Sequence, residues 1–136
     1  MIKPNELRKG NLIKYTGTPY PFYPIKDGIV EVEEILQDGV NRSQGDSTLY
    51  NIELLEGIPI TPEWLERMAI KAEKGLYKFQ HTDFYLRFID HVVDVSMDSL
   101  DGLKKHYLKY NIRFVHQLQN IYFVLIDEDV IIKDTL

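Results

Sequence analysis

The stretch Val115–Ile126 constrains the fold of this chain more than any other part of the sequence. Its apolar residues recur at three-to-four-residue spacing: Val115, Leu118, Tyr122 and Leu125, with Ile121 beside them. This spacing predicts a helix with one apolar stripe. Three amides fall elsewhere and face water or satisfy neighbouring backbone: Gln117, Gln119 and Asn120. A helix this apolar must pack against other elements, so we expect it to cover the core.

Composition places the chain among soluble globular domains. It has 136 residues, 44% of them hydrophobic and 27% charged, which suits one domain spanning residues 1–136. It has no cysteine, which fits a reducing compartment and excludes thiol catalysis and cysteine-rich zinc sites. The opening residues contain no apolar run, and no stretch is apolar enough to cross a membrane. We therefore expect a cytoplasmic protein without a membrane partner.

The net charge of −5 narrows the choice of partner. Broad, non-specific binding to nucleic acid is disfavoured, because phosphates would meet a repulsive field. A basic protein partner, or a local basic patch on this chain, is compatible with the charge. The nine Tyr residues suit interfaces as well as cores, since Tyr combines a large contact area with a polar tip.

The first half of the chain predicts an antiparallel sheet. A turn-rich entry at Pro4–Asn11, anchored by Leu7, leads to a strand at Leu12–Tyr15. Apolar and acidic residues alternate in Ile29–Leu36, which is typical of a strand with one solvent-exposed face, and Glu34 breaks the alternation as a bulge or a bend would. We expect a long polar hairpin loop and then a return strand with three buried side chains: Gln37–Ser47, then Thr48–Leu54 with Leu49, Ile52 and Leu54.

The segment Gly17–Pro24 contains three prolines, which exclude a central strand and favour an extended loop. It carries three aromatic rings: Tyr20, Phe22 and Tyr23. These rings either cap an open end of the sheet or form a binding loop.

A short helix begins after Thr61. Thr61 is a good N-cap, Pro62 suits the first helical position and Glu63 complements the positive end of the helix dipole. We expect this helix to run to about Ile70, with three side chains facing inward: Trp64, Leu65 and Met68.

The remaining sequence predicts further strands: Leu76–Gln80, Phe84–Ile89, Val92–Val95 and a last short one at Val130–Ile132. The pattern of Leu103–Tyr110 fits a helix or a strand. The whole chain predicts an α+β fold: a curled antiparallel sheet, resembling part of a barrel, at the N-terminal end, with two main helices and additional strands.

The sequence contains no recognisable catalytic motif. There is no phosphate-binding glycine loop, no nucleophile elbow and no paired-histidine motif. The four histidines are scattered: His81, His91, His106 and His116. His81 with Asp83, or His91 with Asp94, would form a metal site only with convergent ligands, and we expect no metal and no cofactor. We expect His116 to be a partly buried, hydrogen-bonding residue; a hydrolase using His116 or His81 with acidic partners is a third hypothesis.

One basic stretch is interleaved with aromatic residues. Its members are Lys104, Lys105, His106, Tyr107, Lys109, Tyr110 and Arg113. Positive charge for phosphates and rings for bases are what single-stranded nucleic acid requires. The alternative is an ordinary solvated face. We take as candidate partner-binding residues the three rings of the proline-rich loop together with Lys104, Lys105, Tyr107, Lys109 and Arg113.

Three fragments carry a family resemblance. They are Leu7-Arg8-Lys9-Gly10-Asn11-Leu12, Gly57-Ile58-Pro59-Ile60-Thr61-Pro62-Glu63-Trp64-Leu65 and Val115-His116-Gln117-Leu118-Gln119-Asn120-Ile121-Tyr122-Phe123. Their order and spacing resemble a family of small proteins from phages and prophages of Bacteroidota, with the patterns LRxGN, PIPLTEEWL and VHQLQNLYFAL. This chain departs from the family in carrying Asp127-Glu128 where members often have Thr-Gly-Glu.

The resemblance implies a mobile-element origin and no catalytic residue. By analogy, small acidic phage proteins without catalytic motifs are often inhibitors of host enzymes or defence systems, such as anti-CRISPR proteins. We therefore expect a non-enzymatic protein that occupies a host protein surface in the bacterial cytoplasm. A nucleic-acid-binding accessory protein of a phage or mobile element is the alternative.

Overall fold

The computed structural model describes residues 2–18, 25–42, 48–98 and 105–133, with the side chains of all of these except 98 and 105–110. Two helices and two antiparallel five-stranded sheets make up this part of the chain, which confirms the predicted α+β class. The backbone contacts divide the chain into two compact units. The first unit comprises Met1–Ile58 and Phe114–Asp129, and the second comprises Pro59–Arg113 and Val130–Leu136.

The first unit contains one sheet and the longer helix. Its strands are β1 (Leu12–Tyr15), β2 (Ile29–Leu36), β3 (Gly39–Arg42), β4 (Tyr50–Asn51) and β5 (Leu55–Glu56). They lie in the order β4-β3-β2-β1-β5, with every neighbouring pair antiparallel. The sequence predicts a bulge or a bend near Glu34, and the β2–β3 register does shift between Val32 and Glu34.

Alternation along the strands builds the core of the first unit. Val30 and Val32 are buried while Glu31 and Glu33 are exposed, as a strand with one wet face requires. The rings of Tyr15 on the inner strand β1 and Tyr50 on the edge strand β4 meet edge to face with centroids 5.0 Å apart. The predicted anchor Leu7 is buried with this cluster.

Two predictions for this sheet are wrong. The segment Gln37–Ser47 is not one loop, because β3 follows a tight connection at Gln37-Asp38. The return strand is broken into β4 and β5 by a 3-10 turn at Ile52–Leu54, where Asn51 Oδ1 accepts a hydrogen bond from the Glu53 N–H.

The buried residues of the return segment also differ from the prediction. Leu49 and Leu54 are exposed and Ile52 is partly buried, whereas Tyr50 and Leu55 are almost fully buried. The physical reason is the 3-10 turn, because it resets the alternation between β4 and β5 and brings Leu55 opposite Tyr15.

The connectivity favours the predicted curl, which stays a prediction. Strands β4 and β5 lie at opposite edges of the sheet but are joined by only three residues, Ile52–Leu54. The edges of a flat five-stranded sheet would be about 19 Å apart. A 3-10 turn rises about 2 Å per residue, so the connection through Ile52–Leu54 spans only about 8 Å.

Helix α2 spans Val115–Ile126, the bounds predicted from the sequence. Val115 and Leu118 are fully buried, and the helix contacts β1 within the first unit. It begins where the Phe114 N–H donates to Gln117 Oε1 at 3.2 Å and ends at Asp127, which adopts left-handed backbone angles with φ 62°. The predicted role of this helix as a cover for the core is confirmed for its first half.

The second unit contains a sequential antiparallel sheet and the short helix α1. Its strands are β6 (Ile70–Glu73), β7 (Leu76–Lys78), β8 (Phe84–Ile89), β9 (Val92–Asp98) and β10 (Lys105–Ile112), in the order β10-β9-β8-β7-β6. The ambiguous segment Leu103–Tyr110 is therefore a strand from Lys105 onward. Within the described residues, Val130–Ile132 forms no strand, contrary to the prediction. Instead, the Lys133 N–H donates to the Arg67 carbonyl at 2.9 Å.

Helix α1 spans Pro62–Met68 and is capped by Thr61, whose Oγ1 accepts a hydrogen bond from the Trp64 N–H at 3.3 Å. It ends before Ile70, because Ala69 is already extended and Ile70 begins β6. Leu65 and Met68 are buried as predicted. Trp64 is only half-buried, with the Arg67 guanidinium 4.3 Å above its ring.

One face of the second sheet is its core. Tyr77, Leu86 and Val95 stand opposite one another on β7, β8 and β9 and are all buried. Burial, followed by the nearby charge of Glu66 on α1, raises the pKa of Tyr77.

Candidate interaction surfaces

Several sequence-predicted site residues fall outside the described residues: Tyr20, Phe22, Tyr23 and Lys104. Lys105, Tyr107 and Lys109 lie on β10, where only the backbone is described. Arg113 follows β10, has an exposed side chain, and accepts a hydrogen bond from the Ile60 N–H through its carbonyl. The structure thus places five members of the basic stretch on one edge strand of the second sheet: Lys105, His106, Tyr107, Lys109 and Tyr110.

The backbone register aligns part of this stretch with residues that the sequence analysis missed. Tyr107 pairs with Ser96, Ser96 with Tyr85, and Tyr85 with Lys78, so one row crosses four strands. The described side chains of this row, those of Lys78, Tyr85 and Ser96, lie on the face opposite the core. We call Lys78, Tyr85 and Ser96, together with the exposed Arg87 on the same face of β8, the outer row.

The outer row combines charge and an aromatic ring. Lys78 Nζ lies 6.0 Å from the centroid of the Tyr85 ring, and both side chains are half-buried. Arg87 stands opposite Asp94, whose Oδ1 accepts a hydrogen bond from the Asn111 N–H at 3.1 Å. The sequence indicates this row only through the alternation of residues along β8, which places Tyr85 and Arg87 on one face of the strand and Leu86 on the other.

The histidines form no metal centre within the described ranges, where no group of three or more His, Cys, Asp or Glu could hold an ion. His81 is exposed, and its Nε2 lies 3.2 Å from Gln80 Nε2. His91 occupies a two-residue turn with Asp90, both at positive φ, and packs edge to face on Phe88. His106 lies on β10.

His116 differs from its prediction. It is not a hydrogen-bonding residue: it is 1% exposed, and neither ring nitrogen has a hydrogen-bond partner among the described residues. Its ring stacks on Phe114 with centroids 5.9 Å apart, and its Nε2 lies 4.0 Å from Glu6 Oε2. Burial lowers the pKa of His116, and the charge of Glu6 opposes this shift. The imidazole is therefore neutral at pH 7 and acts as a packing group.

The amide side chains of α2 join the helix to the N-terminal segment. Gln119 is 8% exposed; its Oε1 accepts a hydrogen bond from the Leu12 N–H at 2.8 Å, and its Nε2 donates to the Gly10 carbonyl at 3.0 Å. Asn120 accepts from Asn11 Nδ2 at 2.8 Å. We call Asn11, Gln119 and Asn120 the amide clamp. It links two of the fragments that carry the family resemblance, and its role is structural.

A shallow groove of about 260 Å³ lies beside this clamp and is lined by Arg8, Lys9, Gly10, Glu31, Val32, Glu33 and Asp129. Its cations are already paired: Arg8 with Asp129 at 3.3 Å and Lys9 with Glu33 at 3.1 Å. The Arg8 guanidinium also lies 3.6 Å from the centroid of the Phe123 ring. The groove therefore offers a ligand little unpaired charge.

Charge is divided unequally between the two units. The first unit has six Lys or Arg against twelve Asp or Glu, a net charge of −6. The second has ten against nine, a net charge of +1. The acidic balance of the chain is thus a property of the first unit, where β2 exposes Glu31, Glu33 and Glu34.

No helix among the described residues is long and apolar enough to cross a membrane. Comparisons of the chain with protein-family models, with curated proteins and with solved structures each found no match.

Proposed function

We propose that this is a non-enzymatic binding protein of phage or prophage origin that occupies a basic surface of a host protein in the bacterial cytoplasm. Inhibition of a host defence system, as by an anti-CRISPR protein, is the form of this activity that we propose. The observation that carries the proposal is the net charge of −6 on the first unit.

The distribution of this charge supports protein binding. Three exposed glutamates stand within four residues of β2, and Glu33 forms an ion pair with Lys9 at 3.1 Å. A sheet holds these carboxylates in a fixed register, which limits the entropy lost on binding. A protein that handles nucleic acid presents a basic channel, and an acidic surface of this kind is complementary to it.

A second candidate function is favoured by the outer row. Lys78, Tyr85 and Arg87 place two cations and a ring on the face of the second sheet opposite its core, and the register aligns Tyr107 with Tyr85. Rings and cations on a sheet face are features that bind single-stranded nucleic acid. This supports a nucleic-acid-binding accessory protein that uses β10 and β8.

Affinity capture separates the two functions. The tagged chain is incubated with host lysate, with and without nuclease treatment, and retained proteins are quantified. Two matched variants are compared: Glu31→Gln/Glu33→Gln/Glu34→Gln in the first unit and Lys78→Gln/Arg87→Gln in the second. We expect the wild type to retain a host protein even after nuclease treatment. The Glu31→Gln/Glu33→Gln/Glu34→Gln variant should no longer retain this protein, whereas the Lys78→Gln/Arg87→Gln variant should still retain it.

The opposite pattern would support the second candidate. In that case, retention would require intact nucleic acid and the outer row. Gel shifts of a single-stranded oligonucleotide across a salt series provide the direct measurement, because phosphate binding weakens steeply as salt rises. If the chain retains no host protein from the untreated or the nuclease-treated lysate, the protein-binding proposal is contradicted.

A further inference from the structure

The C-terminal half of α2 is apolar but is not fully buried. Six consecutive residues at its C-terminal end are apolar, Ile121–Ile126, yet the buried side chains of α2 all lie before them. Val124 is 75% exposed, and Ile121, one turn earlier on the same side, is only partly buried. An apolar helix side of this kind is typical of an interaction surface.

Negative charge borders this apolar side. Asp127, Glu128 and Asp129 follow the helix directly and are all exposed. Within the described residues, only Asp129 forms an ion pair, with Arg8. The helix C-terminus carries a partial negative charge of its own and has no basic residue in its last turn. The potential of Asp127 and Glu128 and that of the helix end therefore add.

We infer that Ile121, Val124 and the acidic residues Asp127 and Glu128 form a docking surface for an amphipathic, Lys- or Arg-rich segment of the partner protein. This inference rests on the proposed function and assigns it a surface. An apolar side chain of the partner would cover Val124, while its cations would pair with Asp127 and Glu128. The mode is that of an amphipathic segment lying along an apolar helix side.

The charge argues against a second copy of the chain as the occupant. Two copies joined through this side would each bring the same acidic residues, Asp127 and Glu128, to the border of the interface. Each copy also has a net charge of −5. Like charges at an interface are unfavourable, whereas a cationic partner meets the same field as attraction.

A defined peptide tests the inference on the full chain. The probe is a synthetic helical peptide of Leu and Lys, with leucines on one side and lysines on the other; a scrambled peptide of the same composition is the control. Binding is measured by fluorescence anisotropy over a salt series. The variants are Val124→Ser, Val124→Glu and Asp127→Asn/Glu128→Gln, and the matched acidic control is Glu73→Gln/Asp83→Asn, which removes two exposed carboxylates outside the proposed binding surfaces.

We expect the ordered peptide to bind the wild type at least tenfold more tightly than the scrambled one. Val124→Glu should weaken binding at least tenfold, and Val124→Ser should weaken it severalfold. Asp127→Asn/Glu128→Gln should weaken binding and reduce its salt dependence, and the Glu73→Gln/Asp83→Asn control should bind like the wild type. Because Val124 is exposed, its variants should keep the wild-type circular dichroism spectrum, which checks the fold.

Three results would overturn the inference: no preference for the ordered peptide, equal binding by Val124→Glu, or a wild-type dimer in sedimentation that Val124→Glu dissociates. The last result would assign the surface to a second copy. The proposed function fails separately. A host protein captured equally by the wild type and Val124→Glu would leave that function intact and refute only this surface.

Discussion

Replacement of Gln119 by methionine tests how the N-terminal segment is held on α2. The two side chains have similar volume, so Gln119→Met removes the hydrogen bonds without opening a large cavity. The Leu12 N–H and the Gly10 carbonyl would lose the partners that now lie 2.8 Å and 3.0 Å away. Gln119 is 8% exposed, so water replaces these partners poorly.

The expected loss follows from the two backbone groups. Each buried polar group left without a partner costs about 1–3 kcal/mol, and both bonds are only partly buried, so we expect a loss of about 2–4 kcal/mol. For a chain of this size each kcal/mol lowers the melting temperature by about 3–5 °C. The melting temperature of the first unit should therefore fall by about 10 °C.

The assay must report on the first unit. The only tryptophan, Trp64, lies in the second unit, so its fluorescence is the wrong probe. Urea unfolding followed by circular dichroism gives the free energy, and hydrogen exchange of the Leu12 amide gives the local effect. Gln119→Glu should be intermediate, since a carboxylate still accepts from Leu12 but cannot donate to Gly10. Val124→Ala, at an exposed position of α2, is the control.

A clear outcome would refute the reasoning. If Gln119→Met unfolds within about 0.5 kcal/mol of the wild type and the Leu12 amide keeps its protection, the clamp contributes little and the helix is held by its apolar contacts alone.

Three further predictions concern the packing. Because burial lowers the pKa of His116, below pH 6.5 the unfolded chain binds a proton at this position more readily than the folded chain does. The free energy of unfolding should therefore fall as the pH drops from 7.5 to 5.5. The urea midpoint of His116→Leu should fall less over the same range, with His81→Gln as the control. Gly39→Ala would place a methyl group 2.1 Å from the Tyr50 carbonyl oxygen, so β3–β4 pairing should be lost and thermal melting should show destabilisation by more than about 1 kcal/mol. Thr61→Ala removes the N-cap of α1 and should cost about 1 kcal/mol in urea unfolding, unless water caps the helix equally well.

Local patterns determined much of the secondary structure. The apolar period gave the bounds of α2, the Thr61-Pro62-Glu63 signal placed the start of α1, and alternation in Ile29–Leu36 predicted both β2 and a bulge or bend within it. These features depend on residues within one or two turns or along one strand. Such interactions are visible in the order of the residues alone.

Features that depend on distant partners were missed or misassigned. Segment Gly39–Arg42 is polar in sequence and becomes a strand because β2 and β4 pair with it. The segment from Lys105 pairs with β9, which decides between helix and strand. Tyr50, not Leu49, faces the core, because the ring of Tyr15 lies opposite it.

The candidate surfaces divide in the same way. Composition alone established the acidic balance, but only the contacts assign it to the first unit. The sequence alone placed the amides outside the apolar stripe of α2, whereas the fold buries Gln119 because two backbone groups more than one hundred residues away require it. Burial and strand pairing depend on residues that are distant in the sequence and close in the fold, whereas sequence patterns reflect only neighbours along the chain.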